Sequence, residues 1–173
     1  IVMLLPITGF MVVSSGIYQD LLNKDLLYLC GMTFFSYANF VLIGYLKDIE
    51  ADRQTNYNTF PVKFGWNKTV VGGDVFVAIA ATFCFLQIRS ADLSAAIALL
   101  GTGVAVWGQV KAHMSKLKNE KDSKVPILAT IRAFELWHIA VIYQARPEWW
   151  WILAIIYLAF EITLSSRPVK NQI

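Results

Sequence analysis

Two aspartates four positions apart, in Lys47-Asp48-Ile49-Glu50-Ala51-Asp52-Arg53, are the residues of this chain whose type and spacing best suit chemistry. On a helix they project from one face, roughly 40° apart at 100° per residue, with Glu50 pointing elsewhere. Two carboxylates so placed repel each other unless a cation lies between or beside them. Near a membrane the cost rises, because water is scarcer. Mg²⁺ resolves the conflict well: it takes one or two carboxylates, keeps several waters and completes its octahedron with phosphate oxygens. Lys47, Arg53, Lys63 and Lys68 surround the pair and are candidates for the remaining phosphate charge, Arg as a bidentate fork and Lys as a point charge. The spacing taken alone also fits a solvated loop of weak surface ion pairs. An EF-hand is excluded, because no ligand series with a central Gly and a terminal Glu is present. A Walker-type phosphate loop is excluded because Gly65 stands alone.

The elements that must position this pair are membrane helices. The 173 residues are 57% hydrophobic and 16% charged, too apolar for a soluble core and shell. The apolar residues gather into runs of about 17–25, the length that crosses the hydrocarbon layer as a helix. The runs are Val2–Tyr18, Leu26–Leu46, Thr69–Ile88, Leu93–Val110, Pro126–Gln144 and Trp149–Ser165. The expectation is an all-α, polytopic transmembrane bundle with about six spans, one domain over residues 1–173. The chain begins inside an apolar run with neither an initiating Met nor a basic leader, so the first run reads as an internal span of a fragment, not as a signal peptide. Cys30 and Cys84 fall inside spans, where thiols behave as small hydrophobes.

Positive charge sets the orientation. Lys47, Arg53, Lys63 and Lys68 follow the second run, Lys111, Lys116, Lys118, Lys121 and Lys124 follow the fourth, and Arg167 and Lys170 close the chain. The alternate connections hold only Lys24, Arg89 and Arg146. The excess marks the cytoplasmic side, so segments 47–68 and 111–125 are expected there, in the inner or plasma membrane if the source is bacterial. The net charge of +3 follows from this rule; no basic stripe interleaved with exposed aromatics suggests nucleic acid as a partner. Trp149, Trp150 and Trp151 are expected in the opposite interface as an aromatic belt. Ala91, Ala95, Ala98, Thr102, Ala105 and Gln109 recur at helical steps, a small-residue face for close packing. Among ionisable residues within spans, Arg132 and Glu135 are three apart and suited to pair with each other, with His138 extending their face. Asp74 is placed to support the acidic segment, and Glu161 to reach water near a helix end.

The string Gly44-Tyr-Leu-Lys-Asp48-Ile-Glu-Ala-Asp52-Arg-Gln-Thr-Asn-Tyr-Asn-Thr59-Phe-Pro61-Val-Lys63-Phe-Gly65 resembles the second aspartate-rich motif of the UbiA-type intramembrane prenyltransferases. In that family a D-x-x-x-D pair is followed by a basic residue and a Thr-x-x-Val-x-x-Gly-like stretch. Asp48, Asp52, Arg53, Thr59, Val62 and Gly65 fall in register. Asn56, Tyr57 and Asn58 depart from the pattern, standing where Gly and basic residues are common. Four runs follow the motif where the family has three helices.

The resemblance implies a helix bundle with a lipid-accessible cavity, in which two aspartate-rich motifs hold Mg²⁺ and a prenyl diphosphate. The prenyl group then passes to a lipophilic acceptor such as an aromatic quinone precursor. It assigns Asp48 and Asp52 as metal ligands and catalytic residues, and Lys47, Arg53 and Lys63 as diphosphate contacts. Phe34, Tyr37, Phe40 and Tyr45 become candidates to line the prenyl cavity, Tyr37 and Tyr45 foremost, through cation–π stabilisation. The first motif of the family is not found in this chain, since Asp20 and Asp25 have the wrong spacing and the wrong side, so the chain alone is expected to be inactive. Rival readings are a cation transporter and a noncatalytic membrane scaffold. Transport sites, however, lie near the midplane on broken helices, unlike a motif at a helix end. Oligomeric state is not legible.

Overall fold

The computed structural model describes residues 24–166, so the span expected at Val2–Tyr18 lies outside the described residues. Seven α-helices follow in order: α1 (Lys24–Gly44), α2 (Ile49–Gln54), α3 (Phe60–Phe64), α4 (Trp66–Gln87), α5 (Leu93–His113), α6 (Glu120–Ala145) and α7 (Trp150–Ser166), with a 3₁₀ turn at Pro147–Trp149 before the last. No strand occurs among the described residues. Five of these helices are long and apolar enough to cross a membrane: α1, α4, α5, α6, and α7 with its preceding turn. They coincide with the five described runs legible in the sequence.

Local chemistry explains the ends. Asp92 caps α5 by accepting the Ser94 backbone N–H at 2.8 Å, satisfying one of the orphan donors of a helix start. Asn119 caps α6, followed by acidic Glu120 and Asp122 in the first turn, which suits the positive end of the helix dipole. The turn ahead of α6 closes on Asp122, whose Oδ2 accepts from the Leu117 and Lys118 backbone at 3.2 and 3.1 Å.

Packing follows small residues. The most extensive contacts join α5 to α6 and α1 to α4. Along α5 the buried positions are Ser94, Ala98, Gly101, Ala105, Gly108, Gln109 and Ala112. The small face expected there is present but sits a little differently. Ala91 precedes the helix, Ala95 and Thr102 are half-buried, and Gly101 and Gly108 take the closest approaches. A Cβ on Gly108 would lie 2.5 Å from the Ala129 Cβ on α6. Close backbone approach of this kind replaces the hydrophobic drive that is missing between helices in lipid. Polar side chains add interhelical bonds: Trp137 Nε1 donates to Thr102 Oγ1 at 3.1 Å, and Gln109 Nε2 donates to Asn39 Oδ1 at 3.1 Å. Cys30 and Cys84 are both free thiols, and Cys84 is buried in the core.

The two ends of the bundle are chemically distinct. At one end Arg89 pairs with Asp25 and its backbone N–H donates to Gln144 at 2.7 Å. Trp66 Nε1 donates to the Ala112 carbonyl at 2.9 Å at the other end, sealing a cluster of Ile43, Leu46, Trp66, Val70 and Ala112. That carbonyl belongs to the last turn of α5, which has no partner within its own helix. The acidic segment and the lysine-rich connection therefore share one end of the bundle. Asp25 is at the opposite end.

Candidate functional site

The acidic pair stands where α1 stops. The helix of the second run does not continue through Asp48. After Gly44 the chain tightens into successive i to i+3 bonds, Leu46 N to Ile43 O at 3.1 Å, Lys47 N to Gly44 O at 3.1 Å and Asp48 N to Tyr45 O at 3.3 Å. α2 then starts afresh with Asp48 at its N-cap. The break has a packing cause: Leu46 and Ile49 are both buried, and turning the chain there brings both under the segment. Spacing within the pair survives, since Asp52 N donates to Asp48 O at 2.8 Å, a single helical turn.

The chain beyond Asp52 folds back upon it. Asn56 takes a positive φ of 54°, a conformation that Asn tolerates, and the Tyr57 N–H reaches the Asp52 carbonyl at 2.8 Å. Thr59 Oγ1 donates to Asp52 Oδ2 at 2.9 Å. Thr59 is buried, whereas Asp48 is exposed and its carboxylate makes no capping bond. Gly65, at φ 83° and ψ 164°, joins α3 to α4 in a conformation nearly confined to glycine, so the turn into the next span requires that residue.

The candidate phosphate contacts are placed near the pair in sequence and differ in what engages them. Arg53 makes a 2.8 Å ion pair with Glu50, exposed on both sides. Such a pair is worth little in water and leaves Arg53 free to exchange partners. Lys63 extends over the Phe64 ring, 5.4 Å from its centre, and Lys47 is half-buried. Of the cavity candidates, Tyr45 is exposed in the turn and Tyr37 is half-buried beside Phe40, with ring centres 6.0 Å apart. Phe34 is 63% exposed on α1.

Three expectations about other ionisable residues need correction. Arg132 pairs not with Glu135 but with Glu161 on α7, Nε to Oε1 at 2.7 Å and NH2 to Oε2 at 2.8 Å. A planar guanidinium meets a carboxylate bidentately across two helices, a geometry that an i, i+3 neighbour on its own helix does not offer as well. Glu161 is therefore held by partners instead of being left to water alone; it also accepts from the Tyr157 hydroxyl at 3.0 Å. Asp74 is joined to His113 on α5 at 2.7 Å, and no bond links it to the acidic segment. His138 bonds Thr33 of α1 at 2.9 Å. His113 and Thr33 carry no sequence signal for these roles, because their partners are 39 and 105 residues away.

Among the described residues no three His, Cys, Asp or Glu side chains gather into a closed metal cage. Two carboxylates one turn apart are an open donor set made only of oxygen. That set fits Mg²⁺, which relies on water and substrate phosphate for the rest of its shell, and does not fit a structural zinc site.

Comparison with known proteins adds one finding. A family model described as the UbiA prenyltransferase family matches residues 1–139. No curated protein and no solved structure matches the chain. The family match spans most of the chain, which therefore belongs to the UbiA prenyltransferase family.

Proposed function

We propose, taking membership of the UbiA prenyltransferase family as the premise, that this integral membrane protein contributes the diphosphate-binding half-site Asp48–Asp52 to Mg²⁺-dependent prenyl transfer. The donor is a prenyl diphosphate and the acceptor a lipophilic molecule in the same membrane. The observation that carries the reading is the acidic turn itself. It stands at the end of a membrane helix, with Asp52 held by Thr59 Oγ1 at 2.9 Å and Asp48 open to solvent.

Asp48 and Asp52 would hold Mg²⁺, which when bound neutralises charge developing on the leaving diphosphate. Lys47, Arg53 and Lys63 meet the phosphate charge that remains, with Arg53 exchanging Glu50 for phosphate. The bond from the allylic carbon to the diphosphate oxygen breaks with its electron pair leaving on oxygen, the acceptor nucleophile bonds that carbon, and the acceptor releases a proton. Fixed charges at the leaving group favour this path because they act where charge develops. Tyr37 and Tyr45 offer ring faces to the cationic carbon and its chain. Segments 47–68 and 111–125, on one end of the bundle, face the cytoplasm by the positive-inside rule.

The test uses the complete gene product in lipid vesicles, with release of pyrophosphate from prenyl diphosphates supplied with a panel of acceptors. Asp48→Ala and Asp52→Ala are each expected to lower release at least 100-fold, and removal of Mg²⁺ to abolish it. Release that is equal in wild type and Asp48→Ala refutes the assignment.

A further inference from the structure

Thr59 occupies the N-cap of α3, where a threonine ordinarily turns its hydroxyl onto the backbone N–H groups of the helix it precedes. Here it makes no such bond. The hydroxyl donates to Asp52 Oδ2 at 2.9 Å across seven residues, with Thr59 itself 6% exposed. The main chain is tied as well, through Tyr57 N to Asp52 O at 2.8 Å and Thr59 N to Tyr57 O at 3.0 Å. Asp52 is thus restrained through both its backbone carbonyl and one carboxylate oxygen.

From this geometry we propose that Thr59 is a positioning residue for the cation site: it occupies Oδ2 of Asp52, limits the carboxylate's rotation and leaves Oδ1 as the oxygen offered to a divalent ion. The inference rests on the reading that Asp52 ligates the ion. Physically, a ligand whose orientation is set beforehand loses less freedom on binding, and outer partners of ligating carboxylates commonly carry about 10–100-fold in metal affinity. A pendant Asp48 and a restrained Asp52 also divide the work, one ligand fixed and the other free to adapt as the diphosphate arrives.

The test measures binding of Mn²⁺, a stand-in for Mg²⁺ visible by electron paramagnetic resonance, to the full protein in detergent with inorganic pyrophosphate. Thr59→Val keeps shape and removes the hydroxyl; Thr59→Ala removes it with a smaller side chain; Thr59→Ser retains it. The expected result is about a 10-fold or greater weakening for Val and Ala, and near-wild-type binding for Ser. Without metal, Thr59→Val, Thr59→Ala and Asp52→Asn are expected to lower the thermal midpoint by only a few degrees, the cost of one part-buried hydrogen bond, so that each remains folded in the assay. Adding Thr59→Val to Asp52→Asn is expected to cause no further loss, since the hydroxyl acts only through that carboxylate. If Asp52→Asn loses binding while folded Thr59→Val and Thr59→Ala keep it, the role of Thr59 is overturned and the site stands. If wild type and Asp52→Asn bind Mn²⁺ equally, the site reading itself falls, and the role of Thr59 with it.

Discussion

Helix α7 buries a single residue, Leu153, among those described, and is tied to the bundle by the two-pronged Arg132–Glu161 pair. Replacing Glu161 with Leu leaves a guanidinium inside a span without its partner. An unpaired Arg at the centre of a membrane helix costs about 2.5–3.5 kcal/mol, and breaking a buried pair about 3–5 kcal/mol. The two side chains are 31% and 25% exposed, so water and headgroups recover part of that. About 2 kcal/mol remains, or roughly 30-fold in the docking equilibrium of α7 at 1.4 kcal/mol per tenfold. Leu153, 5% exposed, reports that equilibrium. In a protein with Cys30 and Cys84 replaced by Ala and Leu153 by Cys, labelling by a membrane-permeant maleimide is expected to accelerate about 10–30-fold on Glu161→Leu. Arg132→Leu combined with Glu161→Leu is expected to return to within about 3-fold of the starting rate, because replacing both members of such a pair by apolar groups is close to neutral. Labelling of Glu161→Leu at the unmodified rate, or equal acceleration in the double variant, would refute the latch.

Gly108→Ala places a Cβ 2.5 Å from that of Ala129, so α5 and α6 must part. The expected loss is about 1–3 kcal/mol, read by thermal unfolding in detergent, and Ala129→Gly is expected to restore most of it. The cap of α5 is expected to respond to acid. Hydrogen bonds from the Ser90 and Ser94 side chains lower the Asp92 carboxyl from 3.8 to about 2, and a carboxyl lowered on folding contributes stability above its unfolded value and loses it as pH falls through the folded one. The difference in unfolding temperature between wild type and Asp92→Ala is therefore expected to be constant above about pH 5 and to shrink progressively as pH falls through 3.8 to about 2. A difference that does not change with pH over that interval would show that the carboxylate charge does not contribute.

Sequence alone determined the class of this protein and singled out its candidate site. Apolar runs long enough to cross a bilayer have few alternatives to helices, because backbone polar groups in lipid must be satisfied within the segment; hence the five described spans were legible at nearly their observed bounds. The local spacing of Asp48 and Asp52 was legible for a similar reason, since one helical turn is a short-range property, and the downstream Thr59 and Gly65 pointed to the family now supported over residues 1–139. What the chain order left undecided were partners across helices. Arg132 had a neighbour of opposite charge three residues on, yet found Glu161 at 2.7 Å. Asp74 lay close to the acidic segment in sequence, yet met His113. Nor does the spacing reveal that Leu46 and Ile49 turn inward and end α1 before Asp48, or that Thr59 gives up its cap to hold Asp52. Each of these depends on which faces of separate helices meet. In segments apolar on every side, sequence periodicity does not encode that choice, and only tertiary packing settles it.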